Sequence, residues 1–445
     1  MSFYLHKIMD STCICKINSY NSFNLFLVST IAGYFSLYLI LGNVGLINFP
    51  PENILFIQCV SLFAFGLFYG IGVKLHHISS LLLLIFIYQL VLSVLLFCSH
   101  SFEYNSDYYA YSSWAWEPIH YYYDNYIKYI SNNTLDISDW GYPIFLNWIY
   151  SLTGEIHGGD LLMCVCNVFI NISTVLLLWK LTYQMFGVKI AKLTLLLWGL
   201  NVYNIWFNAT GLKETLFTFF MVGGFYFLYK VSVYNKLRHY IWLMAFIFII
   251  VFFRYYISIF FLLIVISLIF FRRIYEKYFA LIMLFAFTVV ILGVDLLAFF
   301  IEEVAVIYKN QAGVWGDNGI LFSIMNVYSA FVSPYPALSG GSLNQNQLTL
   351  LFSIFKISLS FWGIYGMYLL IKTKQTRVYP LINILLFNIF LTIISGLSLN
   401  YRYMHITMPL YIVFMIYGYV QSRHKVLIAL FSWGTGGFLT LLYNL

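Results

Sequence analysis

Seven carboxylates lie among tyrosine and tryptophan side chains between Cys98 and Glu155, the longest stretch of this chain that is not mainly apolar. They are Glu103, Asp107, Glu117, Asp124, Asp136, Asp139 and Glu155. Aromatic rings stack on the apolar faces of a sugar or another hydroxylated ligand, and carboxylates accept hydrogen bonds from its hydroxyl groups. The stretch therefore favours recognition of such a ligand, although a wet loop with an aromatic belt at a membrane surface has the same composition.

Asp107 is the first candidate for a general base, followed by Glu103 and Glu117. It comes soon after an apolar segment and is followed by two tyrosines, and Glu103 precedes it by four residues. In a helix this spacing places both acids on one face. Such a carboxylate could take the proton of an acceptor hydroxyl or bind a divalent cation. The alternative is that each acid is simply solvated in a loop.

Two basic positions follow further along the chain. Gly211 can break the chain just before Lys213 and Glu214, so the amides after it would form a helix N-terminus, which is a natural anion site. A local pair of Lys213 with Glu214 is the alternative. Arg254 interrupts the apolar run 241–271. We expect it at the tip of a hairpin, either reaching lipid headgroups or binding the phosphate of a lipid-linked substrate.

A third basic position lies near the C-terminal end, where Arg402 is flanked by two tyrosines and followed by His405. Arg402 offers a second phosphate ligand. His405 is a candidate proton carrier, although a single histidine at a span end usually has a structural role. Phosphate-binding or substrate-binding roles are thus predicted for Lys213, Glu214, Arg254, Arg402 and His405.

The composition places these residues in a membrane protein. Hydrophobic residues make up 62% of the 445 residues and charged residues only 9%, whereas soluble domains carry about 25% charged residues. The mean hydropathy is +0.84. The net charge of +7 need not indicate nucleic-acid binding, and no nucleic-acid partner is expected. The six cysteines include no C-x-x-C pair or zinc-like spacing, so no metal site is predicted, and no cleavable signal peptide is evident.

Apolar segments of about 20 residues predict an all-α polytopic fold with about thirteen transmembrane helices. If the N-terminus is cytoplasmic, inner loops receive 17 of the 23 lysines and arginines, as the positive-inside rule requires. The predicted regions are 1–98 with three spans, an outer loop 99–158 with interfacial helices, a six-span core 159–300, a second outer loop 301–348 and four spans in 349–445. The predicted spans are 23–43, 53–73, 78–98, 160–179, 191–207, 213–229, 240–253, 256–271, 278–300, 349–371, 379–398, 404–420 and 426–443.

Four segments carry a resemblance to a known family: EYNSDYY, GYPIFLNWIYSLTG, NVYNIWFNATGLKETLF and YRYMHITMPL. Together they resemble the GT-C superfamily of integral-membrane glycosyltransferases. The resemblance implies that Asp107 is the catalytic base, that the donor is a polyprenyl-phosphate sugar and that Arg254 and Arg402 bind its phosphate. The size, span number, tyrosine and phenylalanine content and two outer loops also resemble Wzy-type O-antigen polymerases. Those join lipid-linked repeat units with basic residues and no obligatory metal.

The expected function is therefore transfer of a sugar or glycan from a polyprenyl-phosphate or -diphosphate carrier to a glycan acceptor. We expect it at the periplasmic face of a bacterial inner membrane, during assembly of a surface polysaccharide. This interpretation requires no cofactor and leaves the use of a divalent cation open. A transporter or flippase of lipid-linked glycans is the alternative, and a non-catalytic membrane scaffold, without clustered outer charges, is a third hypothesis.

Overall fold

The computed structural model describes residues 52–98, 106–120, 129–130, 132, 137–272, 274–275, 326–331, 350–395, 397 and 401–444. Within these ranges the chain is almost entirely helical and contains no strand. The helices are α1 (Glu52–Lys74), α2 (Ile78–Cys98), α3 (Ser106–His120), α4 (Gly141–Thr153), α5 (Ile156–Phe186), α6 (Val188–Gly199), α7 (Val202–Ala209), α8 (Glu214–Tyr234), α9 (Leu237–Phe270), α10 (Leu350–Lys372), α11 (Tyr379–Ile394), α12 (Tyr401–His405), α13 (Met408–Gln421) and α14 (Lys425–Asn444).

The helices are those of an all-α membrane protein, but the predicted number of spans is not reproduced. By length and composition, five helices among the described residues could cross a membrane, with the 34-residue α9 counted as one, or six if α6 and α7, bent by 45°, form one span. The prediction of thirteen counted α13, which has only 14 residues, and about 20 are needed. The predicted spans 23–43 and 278–300, and nearly all of the loop 301–348, lie outside the described residues.

Helix α9 reverses direction at Arg254, as the hairpin prediction requires. Arg254 has φ −161° and ψ 94° inside a run of 34 helical residues, which would be about 50 Å long if straight. Both ends of the run nevertheless contact the C-terminal end of α8. The rings of Tyr234 and His239 lie 5.9 Å apart, and Arg272 Nη2 donates to the carbonyl of Ser232 at 2.5 Å. Arg254 is therefore at the tip between two antiparallel halves.

Basic loops gather at the opposite end of the helices from Arg254. The Lys192 ammonium donates to the carbonyl of Leu75 at 2.6 Å, which joins the α5–α6 turn to the α1–α2 turn. The ring of Phe186 lies 4.4 Å from that of Tyr417, so the C-terminal end of α13 is there too. The helix ends flanked by Lys74, Lys192 and Arg423 therefore lie together at this end.

Close packing of α10 against α13 forms a rigid part of the core. A Cβ atom at Gly366 would lie 2.2 Å from the carbonyl oxygen of Phe414, and one at Gly418 would lie 2.0 Å from that of Trp362. Only glycine permits backbones to approach this closely, an arrangement typical of helices packed inside membranes. This contact fixes α13, and the short helix α12 that precedes it, relative to α10.

Candidate active site

A cavity of about 210 Å³ lies at the end of the helices where Arg254 forms the tip of its hairpin. It is lined by charged and aromatic side chains from five separate parts of the chain. The lining residues are Asp107, Ala110, Tyr111, Trp114, Asp139, Lys213, Arg254, Arg402 and Tyr403. Four of the eight residues predicted for catalysis or binding therefore share one cavity, and a fifth, Glu214, contacts it through Arg402.

Arg402 joins two carboxylates that come from distant segments. Its Nη1 forms an ion pair with Asp107 in the first turn of α3, and its Nε forms another with Glu214 at the start of α8. The Glu214 side chain is only 2% exposed, whereas that of Asp107 is 43% exposed and lines the cavity. Burial disfavours the charge of Arg402, but Glu214 and then Asp107 outweigh this effect and hold the pKa of the guanidinium above its usual value.

Lys213 is paired with Asp139, an acid that the sequence placed in the loop but did not single out. The ammonium forms an ion pair with Asp139 Oδ1 and lies 5.8 Å from the centre of the Tyr111 ring. The Tyr111 hydroxyl donates to the same carboxylate oxygen at 3.1 Å. Burial lowers the pKa of the Lys213 amine, and the Asp139 charge opposes that shift. Lys213 is thus paired with the 3₁₀ turn Ile137–Asp139, and not with the adjacent Glu214.

Arg254 is the cation of this cavity that forms no ion pair with any carboxylate among the described residues. It is 9% exposed. Its Nη1 donates to the Tyr256 hydroxyl at 2.9 Å, and its guanidinium carbon lies 4.6 Å from the centre of the Tyr403 ring and 6.0 Å from that of Phe217. Stacking on rings holds the guanidinium plane without neutralising its charge. This arrangement leaves a buried positive charge facing the cavity.

A buried carboxylate behind the cavity anchors the helix that carries Asp107. Asp160, near the start of α5, accepts hydrogen bonds from the hydroxyls of Tyr108 at 2.6 Å and Tyr150 at 2.8 Å. Tyr108 also packs against Gly211, which has φ +65° and where a Cβ atom would lie 2.7 Å from the Tyr108 ring. Sequence reasoning missed Asp160, although an acid at the beginning of an apolar span is a signal that could have identified it.

Two predicted site residues, Glu117 and His405, lie away from the cavity. Glu117 accepts hydrogen bonds from Ser113 at 2.7 Å and from Tyr129, and these bonds, led by that of Tyr129, lower the pKa of its carboxyl group. His405 is buried, with its ring 5.0 Å from Trp198 and 4.5 Å from Phe207, and it does not line the cavity. Glu103 lies outside the described residues.

The described residues contain no group of three or more histidine, cysteine, aspartate or glutamate side chains that could hold a metal ion. The carboxylates nearest the cavity instead face basic side chains. No protein-family model, curated protein or solved structure matches this chain.

Proposed function

We propose that the protein is a membrane glycosyltransferase that uses polyprenyl-phosphate-linked or -diphosphate-linked sugars in the assembly of a surface polysaccharide. The observation that supports this most is the meeting of Asp107, Arg254 and Arg402 in one aromatic cavity at the end of apolar helices. A lipid carrier approaches such a cavity from the bilayer. The clustering also argues against a scaffold, for which clustered charges have no use.

The proposed roles follow from the chemistry of each side chain. Arg254 and Arg402 bind the donor phosphate and stabilise the charge that grows on it as the glycosidic bond breaks. Asp107 removes the proton from the attacking hydroxyl of the acceptor. Tyr111 and Trp114 present ring surfaces on which a sugar can stack. The product would be a glycan lengthened by one sugar or by one repeat unit, corresponding to a single-sugar transferase or a polymerase.

We place the cavity at the periplasmic face of a bacterial inner membrane, with the N-terminus in the cytoplasm. The support is the set of basic loops at the opposite end of the helices, which the positive-inside rule assigns to the cytoplasm. In this orientation the donor is a lipid-linked sugar in the outer leaflet, and the acceptor is a glycan on the same side. The bilayer itself is a partner, because apolar side chains are exposed along several helices.

One observation favours a second candidate, a transporter or flippase of lipid-linked glycans. Lys356 lies within α10, in a segment predicted to span the membrane, and it is only 1% exposed. Ionisable groups at membrane depth commonly mark transport pathways. A flippase would leave the lipid-linked unit chemically unchanged, so the two candidates differ in whether a glycosidic bond is formed.

The test is the surface glycan of cells that lack the gene, analysed as a gel ladder and by sugar composition. Complementation would use the wild type, Asp107→Asn, Arg254→Ala and, as a matched control, Arg423→Ala, which removes an exposed cation at the opposite end. We expect the wild type and Arg423→Ala to restore the glycan and the two cavity variants to fail.

Each pattern has a distinct meaning. Loss of the long-chain ladder with single repeats remaining indicates a polymerase, and a full ladder lacking one sugar indicates a single-sugar transferase. An unchanged glycan in the deletion strain would refute both enzyme interpretations. Accumulation of intact lipid-linked units on the cytoplasmic side would favour the flippase.

A further inference from the structure

The two carboxylates that share Arg402 are not equivalent. Glu214 is 2% exposed, does not line the cavity and contacts the Nε edge of the guanidinium. Asp107 is 43% exposed, lines the cavity and contacts Nη1. An anion that enters the cavity therefore meets Arg402 on the side that Asp107 occupies, while Glu214 stays behind the guanidinium.

We propose that the Asp107 carboxylate occupies the binding position of the substrate phosphate in the ligand-free protein, and that the phosphate displaces it on binding. This inference rests on the phosphate role proposed above for Arg254 and Arg402. The Asp107 carboxylate and the phosphate are both oxyanions, and a guanidinium binds the oxygens of either through the same N–H donors.

Arg254 supplies the attraction that makes the exchange favourable for a phosphate. It lines the same cavity, and among the described residues no carboxylate forms an ion pair with it. A phosphate has enough oxygens to contact Arg254 and Arg402 together. Leaving Arg402 costs Asp107 little free energy, because its side chain is already partly exposed to water and a partly exposed ion pair is weak. Burial holds Glu214 in place.

The exchange has a consequence for the proposed mechanism. While Asp107 is paired with Arg402, its carboxylate contacts the guanidinium and does not face an acceptor hydroxyl. Phosphate binding releases it beside the ligand, where it can accept a proton from an acceptor hydroxyl. The base thus becomes available only when the donor is bound, which would suppress unproductive reaction in an empty site.

Removal of the Asp107 charge is expected to tighten phosphate binding, although loss of a charged site residue usually weakens it. The measurement is calorimetric titration of the full-length chain in detergent with dibutyl phosphate, a sugar-free phosphodiester with one negative charge. Tributyl phosphate, which is neutral and has the same alkyl chains, reports apolar binding alone. The variants are Asp107→Asn and Asp107→Ser, with Glu117→Gln as a control that removes one negative charge from the same helix outside the cavity.

We expect dibutyl phosphate to bind either Asp107 variant roughly fivefold more tightly than the wild type, the factor that loss of a weak competing ion pair gives. Glu117→Gln should bind like the wild type, and tributyl phosphate should not distinguish the variants. Weaker or equal binding by both Asp107 variants would overturn the proposal, as would the absence of dibutyl phosphate binding throughout. An equal gain in Glu117→Gln would show a general charge effect and also refute it.

The outcome is separable from that of the proposed function, because the probe carries no sugar. If the deletion strain keeps its glycan but Asp107→Asn binds dibutyl phosphate more tightly, the glycosyltransferase proposal fails and the phosphate position remains. If the glycan is lost but the binding order is reversed, the displacement proposal fails alone.

Discussion

The unequal burial of the two carboxylates on Arg402 predicts unequal effects on stability. Glu214→Gln and Asp107→Asn each replace a carboxylate with an amide of similar shape and leave the guanidinium in place. Glu214 is 2% exposed, so its loss leaves a buried cation without its main partner, an effect worth about 3–5 kcal/mol. Asp107 is 43% exposed, and such pairs contribute about 0–1 kcal/mol. We therefore expect the free energies of unfolding to differ by about 2 kcal/mol or more.

The assay is thermal unfolding of the full-length variants in one detergent, at one scan rate, because large membrane proteins often unfold irreversibly. Glu214→Gln should melt well below the wild type, and Asp107→Asn should remain close to it. Glu155→Gln, which removes an exposed acid that does not line the cavity, serves as a control for the loss of one charge. Equal melting temperatures for the first two variants, or a lower one for Asp107→Asn, would show that the burial argument is mistaken.

Three further predictions concern other parts of the structure. Gly211→Ala places a side chain at φ +65°, which costs about 1–2 kcal/mol, and it should also weaken dibutyl phosphate binding; unchanged melting and binding would contradict this. Gly418→Ala should lower the melting temperature by several degrees, because its Cβ would lie 2.0 Å from a backbone oxygen. Gly434→Ala should leave the melting temperature unchanged, because no atom lies within 4 Å of its Cβ position. Equal shifts would contradict the packing of α10 on α13. The hydrogen bond from Tyr129 lowers the pKa of Glu117 from its ordinary 4.5. The wild type should therefore be more stable than Glu117→Gln above pH 4.5, and this advantage should disappear as the pH falls through the lower pKa of the folded state. An advantage that grows in acid would refute the assignment.

Local patterns in the sequence were sufficient for much of the helical framework. Helices were predicted within the segment 99–158, and α4 runs there over Gly141–Thr153, followed by Gly154 at φ +68°. The hairpin tip at Arg254 was also predicted. These features depend on the length of apolar runs, on charges that interrupt them and on glycine or proline at their ends, all of which are properties of neighbouring residues. Within the described residues the number of spans was overestimated, because apolar length alone does not separate a full crossing from a short or bent buried helix.

The choice of partners in the cavity was decided by the tertiary structure. Arg402 meets Asp107 across 295 positions and Glu214 across 188, and no spacing rule relates residues that far apart. The sequence left a pair of Lys213 with its neighbour Glu214 as the alternative to an anion site, whereas in the structure Lys213 pairs with Asp139 and Glu214 pairs with Arg402. Residue types thus determined that cations, carboxylates and rings would be available near one end of the helices. Which of them form pairs, and which cation stays without a carboxylate, depends on how the helices pack, because ion pairing requires contact and contact is set by the whole fold.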